Sequence, residues 1–155
     1  MNSDNLFAND IMNSATFKIV RQFLGLTAPE VARACHVTLR TARRWESSHT
    51  PPRDAVQWLH SKWDEMSDYI DATMQELESV ADSEDYRPIA MTAYRTDADA
   101  TDLPPGVSKE QHAARLGLVL FLANHRENVD IKVTFAGDPA PTDGQQELIT
   151  LEQIA

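Results

Sequence analysis

Gly25, Thr27-Ala-Pro-Glu30, Thr38 and Thr50-Pro-Pro-Arg53 follow one another closely, and this punctuation constrains the fold more than any other feature of the sequence. Phe17, Val20 and Leu24, with Ile19 and Phe23, recur at helical spacing and stop at Gly25, so the pattern predicts a helix over 14–24. Thr27 and Glu30 form a Thr-x-x-Glu capping box, with Pro29 tolerated in the first turn, so a second helix opens there and ends near Cys35 and His36. Thr38 can cap a third helix running to about Ser47. Two short helices joined by a tight turn result. Thr50-Pro-Pro-Arg53 then closes one element and opens the next, because Pro suits a helix start and not its interior.

That next helix is long. Val56, Leu59, Trp63, Met66, Ile70, Thr73, Leu77 and Val80 step by three and four, a heptad seam with one polar member. The acidic Asp64, Glu65, Asp68, Asp71 and Glu78 fall outside it. Such a seam suits either self-association or packing on the chain's own core, since periods of 3.5 and 3.6 diverge little over four heptads. Trp45 and Trp63 fall at core positions, and Trp58 is the tryptophan left to face solvent.

The pattern changes from Tyr86. Ile89, Met91 and Ala93 alternate with Ala90, Thr92 and Tyr94 in a predicted strand, followed by an acidic loop and Leu-Pro-Pro-Gly106. Ser108-Lys-Glu-Gln111 is a second capping box, opening an apolar helix to about His125. Val129, Ile131, Val133 and Phe135 alternate with Asp130, Lys132 and Thr134 in a half-buried strand. Leu148, Ile149, Leu151 and Ile154 carry no decisive periodicity. The expected fold is α+β: a polar tail over 1–13, an all-α domain over 14–82 that includes the long linking helix, and a small unit over 86–155, β-α-β at minimum.

Charge divides along the same line. The net charge is −10, but residues 1–53 sum to +3 and residues 54–155 to −13. The basic end contains Arg40, Arg43 and Arg44, and can approach phosphate while the acidic body avoids random polyanions. Cys35 is the single cysteine, which excludes an internal disulfide and points to a reducing cytoplasm. The first residues have no basic stretch before an apolar run, so no signal peptide is expected. The longest apolar run, Leu116 to Ala123, is far short of the roughly 20 residues that span a bilayer, so no membrane partner is expected.

The segment from Leu24 to Glu46 resembles the Cro/C1-type (XRE-family) helix-turn-helix of bacterial and phage regulators. The likeness rests on Leu26-Thr27, Glu30-Val31-Ala32, Val37-Thr38, Thr41-Ala42 and Trp45-Glu46, with Pro52 following, and covers about 40 residues. Ala32, Val37, Ala42 and Trp45 are the apolar residues that let two short helices cross closely. The resemblance implies that the third helix enters the major groove of double-stranded DNA. Leu39, Arg40, Thr41, Arg43 and Arg44 are then the candidates for base contact, since Arg pairs bidentately with guanine and Leu or Thr meets the thymine methyl. Lys18, Arg21, Thr27, Ala28, Arg33, Thr38 and Arg53 are the candidates for phosphate. Two positions depart from the family: His36 stands at its left-handed turn Gly, and Ala28 at its usual Gln.

The C-terminal half is similar, through Tyr94-Arg-Thr-Asp-Ala-Asp99, the helix carrying His112 to Leu122 and the strand Val129 to Phe135, to the extra domain of a group of regulators that includes phage repressors linked to anti-CRISPR operons. That resemblance implies a homodimer, with Ile131, Val133, Phe135, Leu118 and Leu122 as interface candidates and edge-strand pairing as one route. It also implies a repressor of its own or a neighbouring promoter.

Two other readings fit the same chain: an antitoxin whose acidic half binds a protein partner, and a regulator sensing a ligand between the apolar helix and the strands. No cofactor or metal is expected. Asp97, Asp99 and Asp102 lack the Gly and distal Glu of a calcium loop, and Cys35 with His36, His49 or His60 lacks zinc spacing. No phosphate loop, nucleophile elbow or His-Glu-x-x-His occurs, so the chain is not expected to be an enzyme.

Overall fold

Asn13 opens the first helix by accepting from the Thr16 amide at 2.8 Å. The computed structural model describes residues 6–83, 88–127, 129–139 and 149–150; the expected start of the second unit at Tyr86 and the tail residues Leu148, Leu151 and Ile154 lie outside them. α1 spans Ser14–Phe23, α2 Ala28–Ala34, α3 Leu39–Arg44 and α4 Arg53–Ala81. The chain divides into two compact units at Met66 and Ser67, inside α4 rather than at its end.

In the first unit α1 and α2 stop by the same device. The Gly25 and Leu26 amides reach the Gln22 and Arg21 carbonyls, and the His36 and Val37 amides reach those of Arg33 and Ala32. Both are Schellman endings, which need a left-handed residue. Gly25 supplies it at φ +72°, whereas His36 is forced to φ +55°. Left-handed backbone costs an L residue about 1 kcal/mol, partly offset by glycine's greater freedom when unfolded. His36→Gly is therefore expected to raise unfolding free energy by about 0.5 kcal/mol, read as a higher denaturant midpoint; a lower midpoint would show the imidazole to be stabilising.

α3 is shorter than expected. The Ser47, Ser48 and His49 amides all converge on the Arg44 carbonyl and end the helix three residues before Ser47. Phe17, Val20, Leu24, Leu26, Val31, Ala32, Ala42, Trp45, Val56 and Leu59 are buried, with the Trp45 ring edge-on to Phe17 at 6.4 Å. Ile19 and Phe23 recur in the α1 pattern but stand outside this core, 64% and 45% exposed. Trp58 and Trp63 are both half-buried.

Most of the α4 seam is covered within the single chain, with Trp63 and Val80 half-buried. Val56, Leu59, Met66, Ile70, Thr73 and Leu77 are all buried, so the seam favours the intrachain alternative over a coiled coil. In the second unit β1 (Ile89–Ala93), α5 (Lys109–Leu122), β2 (Ile131–Phe135) and β3 (Ile149–Thr150) follow, with a π-type turn over Ala123–Glu127 after α5. The sheet order is β2-β1-β3 and both pairings are parallel. The protein is thus mixed α+β and mostly helical. Ile89, Leu116, Val119, Ala123 and Val129 are buried.

Polar groups inside this unit are matched. His112 Nε2 lies 2.7 Å from the Thr92 carbonyl, and the Arg115 guanidinium sits over the Tyr69 ring at 5.3 Å. Burial pushes the Tyr69 phenol above its ordinary pKa. Arg95 grips both carboxylate oxygens of Asp138 at 3.0 and 2.9 Å and lies 4.1 Å over Phe135, fastening the end of β1 to the turn after β2. Among the described residues no helix is long and apolar enough to cross a membrane.

Candidate nucleic-acid interface

The surface of interest is built on α3, a helix too short to persist in isolation. Its start is fixed by Thr38, whose hydroxyl accepts from the Thr41 amide at 3.2 Å and lies 3.0 Å from the Thr41 hydroxyl. Its inner side is fixed by Ala42, buried together with Trp45 just beyond the helix end. The outer side carries Arg40, Arg43 and Arg44, all exposed. None of the three guanidiniums has an ion-pair or hydrogen-bond partner among the described residues. Three adjacent, unneutralised guanidiniums on one short helix are an arrangement suited to phosphate and to the O6/N7 edge of guanine.

The other base-contact candidates are less free. Leu39 is half-buried, and Thr41 is half-buried with its hydroxyl engaged by Thr38. Thr38 acts as a cap, which leaves its predicted phosphate role secondary to a structural one.

The phosphate candidates divide. Lys18 and Arg33 are exposed and unpaired among the described residues. Arg21 is not available: Nε and Nη2 donate to the two carboxylate oxygens of Glu46, the latter at 3.3 Å, and Nη1 donates to the Leu26 carbonyl at 2.6 Å. With only 12% and 11% of the two side chains exposed, this pair ties α1 to the segment after α3. Thr27 is also spoken for, since its amide donates to Glu30 at 2.6 Å and its hydroxyl accepts from the Glu30 amide at 3.3 Å. The Glu30 carboxylate further opposes a phosphate there, leaving Ala28, half-buried, as the remaining candidate at this end. Arg53, at the first position of α4, is 72% exposed but donates Nε to Asp10 at 2.9 Å.

The sequence reading missed Glu46 and Asp10 as the partners of these two arginines. Their separations, 25 and 43 residues, leave no local periodicity to read. Burial and the charge of Asp54 push the half-buried Cys35 thiol above its ordinary pKa, which opposes thiolate chemistry.

The interface candidates of the second unit are partly open. Val133 and Phe135 are 38% and 43% exposed, whereas Ile131, Leu118 and Leu122 are half-buried. β2 lies at the edge of the sheet order. The Ile89 amide donates to the Asp130 carbonyl and the Ala136 amide to that of Ala93, so the even-numbered residues of β2 face β1. The amides and carbonyls of Ile131, Val133 and Phe135 therefore point to the outer edge.

No protein-family model matches the chain, and no curated protein matches it.

Proposed function

We propose that this chain is a sequence-specific DNA-binding transcriptional regulator of the Cro/C1-type helix-turn-helix kind, acting as a homodimeric repressor on an inverted repeat. The observation that carries the reading is the unpaired triplet Arg40, Arg43 and Arg44 on the outer side of α3, with α2 and α3 locked by paired caps and a left-handed turn. Arg40 and Arg44 read base edges. Arg43, Lys18 and Arg33 meet backbone oxygens, with Arg53 joining them when it leaves Asp10. Two copies related by a two-fold axis would place their recognition helices in successive major grooves about 34 Å apart. Enrichment of duplexes by the purified protein from a random library tests this. The reading expects an inverted repeat with half-sites about one helical turn apart; a library left unenriched would refute it.

The dimer in this reading forms through the outer edge of β2. Pairing two β2 strands antiparallel about Val133 sets Phe135 opposite Ile131 and Lys132 opposite Thr134 of the partner, so no like charges oppose each other. Val133→Pro removes an amide that faces outward and leaves the ladder to β1 intact, as proline on an edge strand does. The expected result is a mass falling from about twice 17.4 kDa to 17.4 kDa with unchanged circular dichroism. An undiminished dimer would move the interface elsewhere.

A further inference from the structure

The segment before α1 is held in a manner that a simple tail would not need. Phe7 is buried, stacked on the His60 ring at 4.3 Å and edge-on to Trp63 at 5.7 Å, and Met12 is buried behind it. Between these two anchors Asn9 and Asp10 both take left-handed backbone, at φ +61° and +55°. Asn and Asp are among the few residues that tolerate it. The bend delivers one carboxylate oxygen of Asp10 to Arg53 Nε at 2.9 Å and to Gln57 Nε2 at 3.0 Å. The carboxylate is the more enclosed partner, with 19% of its side chain exposed against 72% for Arg53. These two donors hold the Asp10 carboxyl below the usual carboxylate range.

We propose that Asp10 is a built-in competitor of DNA phosphate, holding and neutralising Arg53 in the unbound protein so that backbone binding must proceed at the expense of this ion pair. The inference rests on the DNA-binding reading. An oxygen anion at 2.9 Å from Nε occupies one arm of the guanidinium fork and cancels the charge that would draw a phosphate. A second anion then gains little from the same cation. Asp10 thus weakens attraction to DNA of any sequence, and leaves a larger share of the binding to base contacts on α3.

Asp10→Asn tests this with little disturbance, because Asn tolerates left-handed backbone and still offers an oxygen to Gln57. At about 150 mM salt the variant should bind the library-enriched duplex roughly two- to five-fold more tightly per subunit, the scale of a partly exposed ion pair. The gain should disappear in an Arg53→Gln background, and Asp68→Asn, which removes an exposed charge elsewhere on α4, should not reproduce it. Unchanged or weaker binding by Asp10→Asn, or an equal gain without Arg53, overturns the inference while the DNA reading stands. Failure of the wild-type protein to enrich any duplex overturns both.

Discussion

Replacing Arg40 and Arg44 together by alanine should remove the preference for the enriched duplex over a scrambled one and leave thermal stability unchanged. Both side chains are exposed and without partners among the described residues, so the fold loses nothing when they go. Each bidentate pair with guanine contributes about 1 to 3 kcal/mol of discrimination, so the double variant should lose about 2 to 6 kcal/mol for each half-site. Residual binding should be salt-sensitive and indifferent to sequence, in the range of about 100 μM to 1 μM. Binding titrations of the two duplexes measure this directly. Retained preference would take α3 out of the groove.

Trp45→Ala should do the opposite, with stability lost first and affinity as a consequence. Trp45 is buried at the C-terminal end of α3 with its ring edge against Phe17, which is fully buried. Truncating such a side chain costs about 3 to 5 kcal/mol, a large part of the roughly 5 to 15 kcal/mol that holds an ordinary protein folded. Thermal unfolding should shift down by about 10 °C or more. Trp45→Phe, which keeps an aromatic ring on Phe17, should recover most of the loss. A small shift for the alanine variant would mean that α3 is held by its cap and by the Arg21 pair with Glu46, and not by this ring. Comparison of the two variants separates the residues proposed to read DNA from those that hold α3 in place.

The parts of this molecule legible in the sequence are those whose cause lies within a few residues. Thr27 with Glu30 and Ser108 with Gln111 form the reciprocal caps that their spacing predicts, and Thr38 caps α3. His36 takes the left-handed backbone expected where the resembling family has Gly. The parallel β1 and β2 with α5 between them follow from alternation and a helical run.

What was not legible depends on partners distant in sequence. Arg21 has the exposed spacing of a phosphate contact, and only the fold brings Glu46 to it. Arg53 looks free until Asp10 is placed beside it. Alternation in β2 suggests a buried apolar side, yet Val133 and Phe135 are among the exposed apolar residues. No Gly or Pro marks the end of α3; the Arg44 carbonyl ends it by taking three amides, those of Ser47, Ser48 and His49. The heptad seam of α4 carries no mark of its partner in the sequence; burial of six of its eight residues within one chain favours packing on the chain's own core.

The most direct test of the central claim is methylation interference on the enriched duplex. Dimethyl sulfate marks guanine N7 in the major groove and adenine N3 in the minor groove, so it reports which groove the protein needs open. The account predicts interference at guanine N7 in two clusters about one helical turn apart, on one face of the duplex, and lost at those guanines when Arg40 and Arg44 are alanine. Interference confined to adenine N3, or absent altogether, would contradict it.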